Sequence, residues 1–172
     1  MLGDTAVAVH PEPARALDEL LKKTRERLSQ AAEKHQQELS EEVVRLEQRI
    51  EKLLPSLEKL TQMARDGRMV KLPIVDREIP LITDEWAKPE LGSGCVKITP
   101  AHDPNDYEVW QRHSDQFDAI NILEPDGTLN DAAGPCSGED RFEARKSVIS
   151  KFESLGLLEL IEERKVEGGH SD

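Results

Sequence analysis

Gly92-Ser93-Gly94-Cys95-Val96-Lys97-Ile98-Thr99-Pro100-Ala101-His102-Asp103-Pro104-Asn105-Asp106-Tyr107-Glu108-Val109 is the stretch on which the reading of this chain turns. Its first half predicts a short strand. Over Cys95 to Thr99 successive side chains point to opposite faces, so Cys95, Lys97 and Thr99 share one face while Val96 and Ile98 take the other. The second half predicts a helix start, with Asp103 as N-cap and Pro104 at the first helical position, where its missing N–H costs nothing. Asp106 then falls where a capping box carries its acidic residue. A strand running straight into an acidic helix start brings one ammonium, one hydroxyl and two carboxylates toward a common point. The stretch therefore predicts a mixed α/β body and a site within it.

Outward from this stretch, short strands alternate with helices. Residues 70–75 and 79–83 predict two strands joined at Asp76-Arg77, with Pro73 and Pro80 confining the ladder bonds to edges or bulges. Residues 95–99 predict the site strand and 104–113 a helix. A strand over 119–123, a turn at Glu124-Pro125-Asp126-Gly127, a helix from Asp140 to Leu155 ending at Gly156, and one more strand over 157–161 complete the pattern.

Between the first residues and this body lies a different kind of segment. Leu17, Leu21, Thr24, Leu28, Ala31, His35, Leu39, Val43, Leu46, Ile50, Leu53, Leu57, Leu60 and Ala64 recur at alternating steps of four and three, a coiled-coil seam that slips near His35 to Leu39. One continuous rod would carry the chain away from a body that resumes at Val70. The pattern predicts an antiparallel helical hairpin, about 14–34 and 40–66, with Ser40 as the second N-cap. Pro55 should kink the second helix or draw the turn toward itself.

Composition narrows the function classes. The 172 residues are 37% hydrophobic but only 3% aromatic, enough for one domain with an appendage and a modest core. No apolar run approaches the ~18 residues of a membrane span, and the first residues lack the charged start and apolar stretch of a signal peptide. Cys95 and Cys136 stand apart without C-x-x-C spacing, which argues against a disulfide framework or a zinc ribbon and for a cytoplasmic setting. The net charge of -12 is unevenly spread. Residues 12–66 hold 12 acidic and 11 basic side chains, leaving 23 acidic against 12 basic for the remainder. Such a body grips a phosphate backbone poorly without help.

The central run closely resembles the editing domain of class I valyl-tRNA synthetases. So do Met1-Leu2-Gly3-Asp4-Thr5-Ala6-Val7-Ala8-Val9-His10-Pro11, Arg77-Glu78-Ile79-Pro80-Leu81-Ile82 and Asp140-Arg141-Phe142-Glu143-Ala144-Arg145-Lys146, in the family's order. The resemblance implies a β-barrel-like editing domain made of residues 1–11 and 67–172, with an inserted hairpin over 12–66 dispensable to the body. It implies hydrolysis of threonine wrongly esterified to the valine tRNA, with the mischarged acceptor end and the rest of a synthetase chain as partners, no membrane, no metal and no cofactor. The need for such a step has a known size in this enzyme class: an apolar pocket rejects an added hydroxyl by only about a hundredfold, and a second, hydrolytic sieve supplies the rest. In the family a Thr-Thr-Arg-Pro-Glu strand precedes the segment matched by residues 1–11 and adds a threonine and an arginine to the pocket. The chain therefore reads as an N-terminally truncated, excised domain, expected to turn over slowly or not at all by itself. It also lacks the family's His-Ile-Gly-His and Lys-Met-Ser-Lys-Ser signatures and so cannot activate an amino acid.

On residue pattern alone, Asp106 completes a helix cap, Lys97 is a solvated strand lysine and Thr99 a β-former on an exposed face. The resemblance gives them catalytic-site roles: Asp106 holds the amino group of the misattached amino acid, while Lys97 and Thr99 line the pocket near the terminal adenosine and the threonine hydroxyl. Leu91, Gly92, Ser93, Gly94, His102 and Asp103 form the expected substrate-binding set. Leu91 stands where the family often carries a larger apolar or aromatic side chain, and Gly92 and Gly94 serve a tight turn and close backbone approach. His102, Asp103 and Asp106 do not have the spacing of a closed metal set. Cys95 would need a basic neighbourhood to act as a thiolate, and its surroundings are acidic. An aminoacyl ester is already activated, so hydrolysis calls for a positioned water and a stabilised oxyanion rather than a covalent nucleophile.

Overall fold

The computed structural model describes residues 2–158 and 161. Four strands form one sheet in the order β2-β3-β1-β4, where β1 is Ala6–Val9, β2 Met69–Leu72, β3 Arg77–Thr83 and β4 Cys95–Ile98. β1 runs parallel to β3, with Val7 opposite Leu81, and antiparallel to β4, with Ala6 opposite Ile98. β2 and β3 make a hairpin in which Met69 faces Pro80. Its turn covers residues 73–76, earlier than the Asp76-Arg77 junction the sequence suggests, with Ile74 and Asp76 at positive φ. Among the described residues the sheet is open, with β2 and β4 at its edges. Pro80 is tolerated in an inner strand because Leu81 N–H donates to Arg68 O on the β2 side. The missing N–H of Pro80 therefore turns toward β1, whose registered pairing begins only at Leu81.

Alternation along the strands gives the sheet two apolar faces. Ala6, Ala8, Ile82 and Ile98 pack with Ala87 and with Val109 of α3 (Pro104–Arg112). Val9 and Leu81 pack with Leu57, backed by Leu53, Leu60, Met63 and Ala64, all from α2 (Glu33–Arg65). A third cluster of Leu2, Leu129, Ala133, Cys136 and Ala144 joins the first residues to a 3-10 turn over Asp131–Cys136 and to α4 (Arg141–Ser154).

α1 (Pro13–Gln30) and α2 are the expected antiparallel hairpin, zipped by Leu17, Leu21 and Leu46 with Val43, Ile50 and Leu54, and by an Arg25–Glu47 ion pair at 2.6 Å. The turn, however, is at Ala31-Ala32, not within 33–40. Both residues adopt extended ψ, of 142° and 150°, and Ser40 lies inside α2 rather than capping it. Two extended alanines suffice to reverse the chain, and Gln36 Nε2 donates to the Ala31 carbonyl across the turn. Pro55 is inside α2 without ending it. Leu54 packs on α1 just before it and Leu57 on the sheet just after it, which offsets the one helical hydrogen bond a proline removes.

α3 and α4 follow the sequence closely, each with an aspartate N-cap, and Gly156 follows α4 at φ 66°. The strand expected over 119–123 does not form. Asn121 ties up its own segment, donating to Leu123 O and accepting from Leu123 N–H, and only a Leu123–Leu129 bridge remains. The strand expected over 157–161 falls partly on residues outside those described. No helix among the described residues is long and apolar enough to cross a membrane.

Candidate functional site

The site is built where β4 ends and α3 begins. Asp103 caps α3 as its sequence predicts, its Oδ1 accepting from the N–H groups of Asn105 at 2.9 Å and Asp106 at 3.2 Å. Asp106 does not close a capping box. Its carboxylate turns back toward the strand, where Oδ2 accepts from the Thr99 N–H at 2.9 Å and from Lys97 Nζ at 2.7 Å. Asp106 is only 3% exposed. The Lys97 side chain, on an edge strand, is 50% exposed.

Thr99 joins this carboxylate to a second one. Its backbone serves Asp106 while its hydroxyl donates to Asp4 Oδ1 at 2.7 Å, and both Thr99 and Asp4 are buried. Asp4 was absent from the expected set. Its signal in the sequence is register: once β1 and β4 pair antiparallel with Ala6 opposite Ile98, the residues before Ala6 run beside Thr99 and Pro100. The hydroxyl thus points to Asp4 instead of joining the Lys97–Asp106 pair.

The other expected residues divide. His102 is exposed, and its Nε2 accepts from the Ile122 N–H at 3.2 Å. Desolvation lowers its imidazole below the ordinary value, which favours the neutral acceptor form that this bond requires. Leu91, Gly92, Ser93 and Gly94 lie before β4, at the opposite end from Asp106, so the ~13 Å length of that strand separates the two groups. Leu91 is 63% exposed, and Gly92 and Gly94 take φ of 46° and 79°, the left-handed values that explain glycine at both. Burial pushes the Cys95 thiol up, so it is no ready nucleophile. Among the described residues no three His, Cys, Asp or Glu side chains gather as a metal site.

A second polar cluster fixes the far end of α3. Asp84, just after β3, is 7% exposed and accepts from Arg112 Nη2 at 2.9 Å and Nε at 3.1 Å, lies 3.0 Å from His113 Nε2, and takes the Trp86 N–H. Burial works to raise this carboxyl, but the bonds from Arg112, Trp86 and His113 outweigh it and hold it below the ordinary value of 3.8. With its folded value depressed, the group contributes stability above pH 3.8 that is lost as pH falls through the lower folded value. Melting curves of the wild type and Asp84→Asn should therefore differ most at neutral pH and draw together in acid below 3.8. α3 is thereby held at both ends and by Val109 in its middle, which fixes the direction in which Asp106 points.

The family described as "Leucyl-tRNA synthetase, editing domain" matches residues 21–149. The chain is similar to a valine–tRNA ligase of Rhodopirellula baltica, 56% identical over 172 residues, which is 100% of this chain and 16% of the relative. It is also similar to valine–tRNA ligases of Streptococcus pyogenes serotype M6 and Streptococcus agalactiae serotype III, each 53% identical over 106 residues, or 62% of this chain and 12% of the relative. The chain thus spans a small part of the length of these curated relatives. A strand-to-helix junction with these residues, a family match across most of this chain and a likeness over the whole of this chain to part of one ligase agree: the chain belongs to the aminoacyl-tRNA synthetase editing-domain family, in the form carried by valine–tRNA ligases.

Proposed function

We propose that this domain hydrolyses the aminoacyl ester of threonine misattached to the valine tRNA, as part of a valine–tRNA ligase. The observation that carries the reading is the Lys97 ammonium seated 2.7 Å from the buried Asp106 carboxylate. An α-ammonium offers the same charge and the same three donors, so the place Lys97 occupies is one that fits the amino group of an aminoacyl ester. Asp106 cannot easily be left without a cation once buried, whereas Lys97, half in water, gives up its place at small cost. Asp106 then holds the substrate's ammonium, the displaced Lys97 orders the adenosine end and the water, and Thr99 steadies Asp106 through its N–H while its hydroxyl is held by Asp4. Asp103 keeps the first turn of α3 rigid, so its part in binding is to position Asp106. Threonine is accepted through its hydroxyl, and valine is refused because its methyl would leave buried polar groups unpaired.

The same reading divides the chain into a barrel-like editing body, residues 1–11 and 67–172, and an inserted coiled-coil hairpin, 12–66. The seam of Leu17, Leu21, Leu46 and Ile50 supports a hairpin in the outer part of 12–66, while Leu53, Leu57, Leu60, Met63 and Ala64 of the same segment pack with the sheet of the body. The acidic excess of the body supports a tRNA held mainly by other parts of a synthetase chain.

The test is release of amino acid from threonyl- and valyl-tRNA(Val) in the presence of this chain. Threonine should leave faster than spontaneously and at least tenfold faster than valine, about the discrimination that one well-placed hydroxyl partner supplies. Binding of both tRNAs with no acceleration of either would favour the alternative, a non-catalytic module that contacts tRNA or another domain.

A further inference from the structure

The hairpin, which looks like an appendage in the sequence, touches the segment that leads into β4 at two points. Arg49, on α2, is the first. Its Nε donates to the Pro89 carbonyl at 2.6 Å, and its Nη2 donates to the carbonyls of Leu91 at 2.9 Å and Gly92 at 2.5 Å. Three carbonyls turned toward one guanidinium make an arrangement that a planar, multiply donating group can satisfy and a single ammonium cannot. Inside the segment, Gly94 N–H closes a turn on the Leu91 carbonyl at 2.8 Å, so Leu91 O accepts from within the loop and from the helix at once. The second point is two turns further along α2. A Cβ at Gly94 would stand 2.7 Å from Leu57 Cδ2, so the loop lies directly against the helix with no room for a side chain.

None of these bonds is needed to close the hairpin itself, whose seam is made by α1 with Val43, Leu46, Ile50 and Leu54 of α2. Nor does the loop supply α2 with its main anchor, since Leu57 is already packed on Val9 and Leu81. What the grip does fix is the conformation of the exposed Leu91-Gly92-Ser93 stretch, two of whose carbonyls and one of whose left-handed glycines would otherwise be free to move in water. We propose that Arg49 is a positioning residue for substrate binding: the inserted hairpin holds the Leu91–Gly94 loop in the shape that receives the acceptor end. This rests on the ester-hydrolase reading above. It assigns a task to the insertion that the rest of the domain does not perform, and it places a cation of the nearly neutral arm in charge of a loop on the acidic body.

The experiment compares the wild-type chain with Arg49→Met and Arg49→Lys by three readouts. These are the Michaelis parameters of threonyl-tRNA(Val) hydrolysis, the exchange rate of the Gly94 amide, and urea denaturation. Arg49→Met should raise KM about tenfold with kcat within about twofold, the size expected for charge-assisted bonds that order a binding loop but touch no reacting atom. Gly94 exchange should quicken while amides of α1 keep their protection. Arg49→Lys should recover only part of the KM. An unchanged KM, or a fall in kcat alone, would overturn the positioning role. If the wild-type chain hydrolyses no ester by itself, Gly94 exchange judges the brace independently of the reading of the site: an unaltered rate in Arg49→Met overturns it.

Discussion

Leu57→Ala is expected to lower the unfolding free energy by about 2–5 kcal/mol, the usual range for deleting most of a fully buried leucine. Leu57 is 1% exposed and meets Val9 of β1, Leu81 of β3 and the loop at Gly94. Few places in the chain join so many elements. Val44, on the same helix but 46% exposed, should cost less than about 0.5 kcal/mol as alanine. Urea denaturation of both variants checks the contrast. Equal, small losses would mean that α2 is not part of the core. The expected result sets the division between body and insertion within α2: its outer turns and Leu54 serve α1, while Leu53, Leu57, Leu60, Met63 and Ala64 serve the sheet.

Asp106→Asn should have the other large effect, on chemistry rather than on folding. Asparagine keeps an acceptor for the Thr99 N–H and keeps the volume, but it removes the charge. Losing a charge-assisted bond to the substrate's ammonium is worth close to 3 kcal/mol, or about a hundredfold in the rate of threonyl ester hydrolysis. Stability should fall by only about 1 kcal/mol, since the Lys97 side chain, half in water, is readily rehydrated. Hydrolysis and melting measured on one preparation separate the two effects. A fully active variant with wild-type melting would remove Asp106 from the site.

How much of this was legible in the sequence depended on the range of the interaction. The Asp103-Pro104 helix start, the aspartate cap of α4 and the heptad seam are local, and the structure follows them. The meeting of Lys97 with Asp106 was also local, because a strand that feeds directly into a helix must bring its last residues beside the first turn. The partner of the Thr99 hydroxyl was not, because Asp4 lies 95 residues earlier and comes near only through the β1–β4 pairing. Arg49 was hidden for the same reason: it carries no motif, and the carbonyls it holds are backbone atoms any sequence would offer. Ala31-Ala32 gave no turn signal because alanine favours helix, and the reversal is imposed by the packing of α1 on α2 rather than by turn residues. Over 119–123 the sequence suggested a strand, but the Asn121 side chain took the hydrogen bonds that a ladder would have used.

The central claim is that the Asp106 carboxylate, with Lys97 standing in its place, receives the α-ammonium of an aminoacyl ester. The most direct test changes the substrate: hydrolysis of threonyl-tRNA(Val) is compared with that of the same ester after N-acetylation of the threonine, by the wild type and by Asp106→Asn, with spontaneous hydrolysis of each subtracted. Acetylation removes the positive charge and keeps the ester. The account predicts that the acetylated ester is hydrolysed about a hundredfold more slowly than the free amine and that Asp106→Asn then adds little further loss. Equal catalysed rates for the two esters would contradict it.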